Sequence, residues 1–520
     1  MLRRRDFVKA GAALAALAGA GARSAADEPV HLWQGYDFGP GPMAADRLNQ
    51  GPFGIDQDEG WYTIEATTAA KGPVRNFGLG LVGYTWEENG PALSVRAGTQ
   101  TLEAAIEKMA SLSLVDVLYI RCDWRDVQSR PGRLDLNPVW KLTLDAARRH
   151  GQSVAFRVQL SNPEIQPAKL ALPDFLQASV PLATIRRPVP GSPTRVEPRY
   201  DHPAFQQAFR ELNQLLAAEF DGNPIFEFMD LMMYGFWGEG HTSDYPSPFP
   251  DPWTAEQTML EMTRQQLEAW KRVPLVVNTQ PDISAVGNHA VQDLAVRNAC
   301  WLRSDSIILD EPIQIEMLAN RPPWLPVVME DGYYRHYQTN SDTFKVDAGG
   351  VNVIERSILH TLDLGGNYWS LWTEADNVAR YAAQYPEGFA TLQRRMGYRV
   401  RPAWVWQRKR YGTAELIVAV VNDGVAGVPG VLRIFAETPD GKLRVGGGLD
   451  AGHPFAGRVR QASFVLPPGL DGQEVMLRAE LETKGVRRPV RWACAQPTNP
   501  DGSLTIRLKR HDDTNWRKGI

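Results

Sequence analysis

Cysteine is nearly missing from this 520-residue chain, which has only Cys122, Cys300 and Cys494. That excludes a disulfide scaffold, and a chain of this length buries a large core without staples. Charge of one sign is missing too. Lys and Arg number 56 and Asp and Glu 60, a net charge of −4. No broad basic face is implied, so nucleic acid is excluded as the main partner. The nine histidines include no HExxH and no Cys/His cluster at ligand spacing, so neither a metal nor any other cofactor is expected. There is no G-x-S-x-G elbow, no Ser-His-Asp order and no phosphate loop. Gly78-x-Gly80-x-x-Gly83 matches the dinucleotide fingerprint by letter, but it lies inside a strand-like run with no helix opening after it. Long apolar runs are absent as well, so no membrane span is expected. What the chain has in quantity is 16 Trp, 45 Gly and 38 Pro, rigid aromatics together with turn formers.

Residues 1–26 read as an address. Arg3-Arg4-Arg5-Asp6-Phe7-Val8-Lys9 precedes a short Ala/Gly/Leu run from Ala10 to Ala22, with small residues at Ser24–Ala26. This is the layout of a signal peptide, and the apolar run is too short and Gly-rich to cross a bilayer. Arg4-Arg5-x-Phe7-Val8-Lys9 resembles the twin-arginine export signal. The resemblance implies a bacterial protein, the twin-arginine export machinery as partner of the precursor, and a periplasmic or secreted location. The odd cysteine count leaves at least one thiol free, most simply a buried one.

From Phe77 to Met396 short apolar runs alternate with amphipathic stretches. The runs Phe77–Tyr84, Val115–Cys122, Ser153–Leu160, Ile225–Met233, Val273–Asn278, Ser306–Leu309, Leu325–Met329 and Tyr368–Trp372 predict eight strands, each followed by a helix. Near-continuous apolar strands are those of a parallel sheet covered on both faces. Eight βα units predict a (β/α)8 TIM barrel over 77–398, with a doubly wound sheet as the competitor. A Pro-rich insertion, about Asn162–Pro203, interrupts it. After Arg399 short runs punctuated by Pro, Gly and Asp predict a C-terminal antiparallel β-sandwich over 399–520. Residues 27–76 form an N-terminal extension wrapped on the barrel or the sandwich.

A TIM barrel builds its site at the C-terminal ends of its strands. There the chain offers Asp123 and Trp124, Trp237, Glu239 and His241, Asn278, Glu330 and Tyr333, and Trp369, Trp372 and Glu374. Paired carboxylates across an aromatic-lined cleft suit glycoside hydrolysis, one protonating the leaving oxygen while the other attacks or activates water. Trp and Tyr faces stack on sugar rings while Asp, Asn and Arg bind hydroxyls. Strand alternation puts only one of Trp369 and Trp372 inward.

The run Arg121-Cys122-Asp123-Trp124-Arg125-Asp126-Val127-Gln128, followed by Pro131-Gly132-Arg133-Leu134-Asp135, resembles the second βα unit of clan A glycoside hydrolases, the β-galactosidase-like ones especially. Gly235-Phe236-Trp237-Gly238-Glu239-Gly240-His241-Thr242 resembles the W-G-E-x-H signature of β-galactosidase-like barrel proteins, and Tyr368–Trp372 the aromatic eighth strand. The resemblance covers about 77–400. It implies Glu239 as acid/base and Glu330 as nucleophile, with Arg121, Asp123, Trp124, Trp237, His241, Asn278, Tyr333, Trp369, Trp372 and Glu374 around the substrate. Glu311, Asp331 and Glu374 are rivals for the nucleophile. One departure stands out: where the clan has Asn before its acid/base Glu, this chain has Gly238.

The expectation is therefore an exported, retaining glycoside hydrolase acting on an oligo- or polysaccharide, β-galactoside-like on the strength of the resemblance. The alternatives are a non-catalytic glycan-binding protein on a degenerate barrel and, further off, a lyase or transglycosidase.

Overall fold

The computed structural model describes residues 61–88, 90–279, 289–305, 307, 312–331, 353–410, 413–470 and 472–510. The export signal lies outside the described residues, as do Tyr333 and Glu311. Eight parallel strands close into a barrel in sequence order: Gly80–Trp86, Val117–Asp123, Ser153–Gln159, Phe226–Asp230, Leu275–Asn278, Trp301–Ser304, Val327–Glu330 and Tyr368–Leu371. Helices follow the strands. The helix Pro138–His150 shows why the punctuation works: the Asn137 side chain accepts from the Val139 amide, Pro138 opens the first turn, and Gly151 ends it at φ 65°.

Period-two alternation sorts every barrel strand into two faces. Leu118, Ile120, Cys122, Phe156, Val158, Met329 and Trp369 face outward and join the helices in the main core. Val82, Tyr84, Val117, Tyr119, Ala155, Phe228, Val276, Trp301, Val328 and Tyr368 fill the lumen toward its N-terminal end. Continuing the same alternation upward puts Arg121, Arg157, Asp230, Arg303 and Glu330 in the next layer.

The sixth strand corrects the sequence reading, which put it at 306–309. It runs Trp301–Ser304, because Trp301 and Arg303 both point inward and Arg303 breaks the apolar run that would have marked it. Where one helix was expected after the eighth strand there are two, Ala375–Gln384 and Pro386–Arg395; Pro386 has no amide to continue the first helix and opens the second. The insertion carries a hairpin, Leu182–Arg186 against Thr194–Pro198.

The C-terminal part is a sandwich of two antiparallel sheets. One contains Val400–Arg410, Thr413–Asn422 and Val459–Leu466; the other contains Val431–Glu437, Arg444–Gly448, Glu474–Thr483, Val486–Val490 and Leu504–Arg507. The strand Trp61–Ala66, from the N-terminal extension, adds to the edge of the first sheet beside Val400–Arg410. The sandwich packs on the N-terminal end of the barrel. There the Tyr398 hydroxyl donates to the Phe77 carbonyl (2.8 Å) and the Arg488 guanidinium covers the Phe77 ring at 3.8 Å. Among the described residues, the C-terminal mouth is bordered by the barrel's own loops. All three cysteines are free and buried. Among the described residues no helix is long and apolar enough to cross a membrane.

Candidate active site

Five of the lumen residues are ions that apolar strands deliver to one layer. Arg121 from the second strand is completely surrounded: its Nη1 meets Glu88 (3.1 Å) and Glu330 (3.2 Å), and its Nη2 pairs with Glu239. Arg157 from the third strand donates to the same Glu239 oxygen at 2.9 Å. Arg303 from the sixth donates to Glu330 Oε2 (2.6 Å) and grips Asp230 with Nε and Nη2 (2.8 and 2.7 Å). The Tyr84 hydroxyl donates to Glu330 Oε1 at 2.8 Å, and Tyr119 donates to Asp230. Such a layer folds only because each charge is matched; a lone buried ion would cost several kcal/mol.

Glu239 reaches this layer from the loop after the fourth strand. That loop is a tight knot, with the Phe236 amide donating to the His241 carbonyl (2.7 Å), the Gly240 amide to Tyr234 (3.0 Å) and the Trp237 amide to Ser161 (3.0 Å). Gly235 is required: a Cβ there would lie 2.1 Å from the His241 oxygen. Trp237 itself sits in the left-handed region at φ 55°, a cost that non-glycine residues carry mostly at functional sites.

Burial alone would raise the Glu239 pKa, but Arg121, the His241 hydrogen bond and Arg157 outweigh it and hold the carboxyl well below the usual range. Asp230 is lowered in the same way, Arg303 and Arg157 overcoming its burial. Asp305, directly after the sixth strand, goes the other way: burial and then the Glu239 charge push it up to about 6. Asp123 rises to about 7 through burial and the nearby Asp126; its Oδ1 accepts from Gln159 (2.7 Å) and Asn162 (3.0 Å).

Among the described residues, Glu239, His241 and Asp305 have ligand atoms at metal spacing. Their hydrogen bonding opposes a cation. The Ser243 amide donates to His241 Nδ1 (3.1 Å), so although Asp305 and Glu239 draw the ring's pKa upward against its burial, Nδ1 keeps its lone pair and the ring proton rides on Nε2. That Nε2–H faces Glu239 at 3.1 Å and Asp305 at 3.7 Å. A metal would need the Nε2 lone pair, and would sit beside two guanidiniums.

The expected site residues divide accordingly. Arg121, Glu239, His241 and Glu330 are brought together, and Asp123 lies at the same mouth. The Asn278 amide donates to the Glu239 carbonyl at 3.1 Å. Trp237 stays partly exposed beside His241, and Trp372 packs on the lumen cluster. Three do not join them. Trp124 is buried beneath the loop, edge-on to Phe205 at 5.7 Å, its Nε1 donating to Gln128. Trp369 faces the helices and packs on Phe389. Glu374 precedes the helix Ala375–Gln384 and lines a crevice with Thr85 and Lys108. Asp331, a rival nucleophile, lies buried with Oδ1 accepting from the Trp372 amide (2.7 Å). Sequence reasoning missed Arg157, Asp230, Arg303 and Asp305, and passed over Tyr84. The available signal was an isolated ionisable residue, in register with the inward-facing positions, near the end of an otherwise apolar strand.

No protein-family model matches the chain, and no curated protein does. Solved structures that it resembles include endo-glycoceramidase II from Rhodococcus sp., at 13% identity, 75% of this chain, 97% of that chain and a TM-score of 0.37. The exo-β-1,4-mannosidase Op5Man5 from Opitutaceae bacterium strain TAV5 matches at 12% identity over 58% of this chain and 54% of that one, TM-score 0.35. The catalytic domain of a β-amylase from Paenibacillus polymyxa matches at 9% identity over 55% and 93%, TM-score 0.37. At these scores the similarities carry no argument about the chemistry of the site.

Proposed function

We propose that this protein is a glycoside hydrolase whose nucleophile is Glu330. The observation that carries the reading is the convergence of Glu330, from the seventh strand end, and Glu239, from the loop after the fourth, on the two Nη atoms of one buried guanidinium. Glu330 lies close to both Glu239 and Asp305, so either of them as acid/base suits the short carboxyl separation of retaining hydrolysis, about 5–5.5 Å, better than the wider gap of inversion. Tyr84 and Arg121 hold Glu330 Oε1, and Arg303 holds Oε2, fixing the carboxylate for attack on an anomeric carbon. Trp237 and Trp372 supply aromatic faces for a sugar ring, and Asp123, His241 and Asn278 supply hydroxyl partners. The substrate is an oligo- or polysaccharide, and the export signal read in residues 1–26 would carry the enzyme to the periplasm or beyond.

The test is a panel of aryl glycosides and polysaccharides with wild type and Glu330→Ala. Turnover of one substrate by wild type, lowered at least ~10³-fold in Glu330→Ala, is the expected result. The second reading, a glycan-binding protein without catalysis, is favoured by the lowered pKa of Glu239, which is unsuited to donating a proton. Glycan binding equal in wild type and Glu330→Ala, with no hydrolysis anywhere on the panel, would select it.

A further inference from the structure

The proposed hydrolysis needs a carboxyl that carries a proton into the reaction, and Glu239 is poorly placed to be it. Its Oε1 accepts from Arg121 and Arg157, and its Oε2 from the His241 Nε2–H. Every oxygen of Glu239 is taken by a donor. Asp305 differs. It continues the inward register of Trp301 and Arg303, two residues beyond Arg303, and so lies at the top of the lumen. Ser304 pairs with Met329 across the neighbouring strand, and the Ile307 amide donates to the Glu330 carbonyl (2.7 Å), so Asp305 rides beside the Glu330 strand. It is 7% exposed, and among the described residues no arginine or lysine pairs with it. Among the described residues, the ionisable groups that act on it are Glu239, His241 and Glu330. Glu239 and Glu330 are held by guanidiniums, whereas Asp305 has two carboxylates for neighbours, an arrangement that makes its proton harder to lose than that of a solvated carboxyl.

We infer that Asp305, rather than Glu239, is the proton donor of this site, with the His241 Nε2–H bridging the two. The inference rests on the glycosidase reading. In the first step an oxygen of Glu330 bonds to the anomeric carbon. The bond from that carbon to the glycosidic oxygen breaks, its electron pair stays on the leaving oxygen, and the Asp305 proton goes there. In the second step water attacks the same carbon, gives a proton to the Asp305 carboxylate, and releases Glu330 as carboxylate. Glu239 remains an anion throughout and orients His241. The pKa of about 6 on Asp305 agrees with this role.

The experiment compares wild type, Asp305→Asn, Asp305→Glu and Glu239→Gln on phenyl and 2,4-dinitrophenyl β-glycosides of glucose, galactose and mannose. A dinitrophenolate leaves without a proton and a phenolate needs one. Asp305→Asn should lose ~10²–10⁴-fold on the phenyl glycoside yet form the glycosyl-enzyme from the dinitrophenyl glycoside within about tenfold of wild type, a margin that one pKa-scale unit of free energy spans. Azide should then speed its turnover and yield the glycosyl azide, since azide needs no base to displace Glu330. Asp305→Glu, which keeps a carboxyl, should recover phenyl glycoside activity and shift the alkaline limb of the rate profile. Asp305→Asn behaving alike on both substrates, or the azide product appearing with Glu239→Gln instead, overturns the inference and leaves the glycosidase reading standing. An alkaline limb unmoved in Asp305→Glu overturns it too, even if Asp305→Asn does not fold. No turnover by wild type of any dinitrophenyl glycoside or of any polysaccharide of the panel overturns the glycosidase reading and the inference with it.

Discussion

Glu330 and Asp331 are neighbours with opposite fates. Strand alternation turns Glu330 into the lumen, where two arginines and Tyr84 meet it. Asp331 turns into the wall instead, where the Trp372 amide is its one donor to Oδ1 and, among the described residues, Oδ2 has no partner. Burial pushes Asp331 up to about 8, with the Glu330 charge adding to it. Unfolded, an Asp titrates near 3.9, so the folded chain binds this proton more tightly. The group therefore stabilises fully below about pH 4, and its contribution is lost as pH rises toward 8. Asp331→Asn keeps the acceptor for Trp372 and removes the titration. Its melting temperature relative to wild type should climb steadily between pH 5 and pH 8; a constant difference would refute the assignment. Tryptophans divide by the same rule of environment. Trp124 and Trp369 are core, whereas Trp237 and Trp372 border the mouth, a distinction that residue type alone does not carry.

At the level of elements, the Pro-rich insertion is a brace for the loop that bears Glu239. Glu197, at the end of the insertion's hairpin, accepts from Ser161 and from the Tyr200 hydroxyl (2.6 Å), which in turn accepts from the Gly235 amide (3.0 Å). Burial lifts Glu197 to about 7 even with these donors. Tyr200→Phe leaves the Gly235 amide and one Glu197 oxygen short of a partner. The expected cost is about 1–3 kcal/mol of stability, together with a kcat loss larger than any change in KM, because Glu239 is displaced rather than substrate contacts removed. Denaturant melts and steady-state kinetics check it; unchanged kcat would show that the loop keeps its shape unaided. Helices were legible in the sequence because caps and prolines are local signals, as Asn137, Pro138 and Gly151 illustrate. The sixth strand was not, because its inward Arg303 looks like surface until the barrel closes around it. The insertion's hairpin, mostly exposed on its outer strand, has no strong alternation to read.

For the molecule as a whole, the sandwich closes the barrel's N-terminal end, remote from the mouth. Leu79 and Tyr398 belong to the sandwich core although they flank the barrel's first strand and last helix, and Glu227 at the barrel floor accepts from the Gly78 amide (2.7 Å) and Tyr368. Cutting the chain after residue 398 would bare this apolar floor. The shortened protein should aggregate, while the full chain melts in one cooperative transition by calorimetry; a soluble, cooperatively folding barrel from the cut chain would show the two parts to be independent. By itself the sequence determined the eight-unit barrel, the trailing sandwich and the candidacy of Glu239, Glu330, Arg121 and His241, since apolar periodicity and short polar motifs are local properties of a chain. The tertiary structure alone decided which carboxyls sit against guanidiniums and which has other carboxylates for neighbours. Arg157, Arg303 and Asp305 come from strands far apart in sequence, and a pKa depends on what burial and neighbouring charge do to a group once those strands meet.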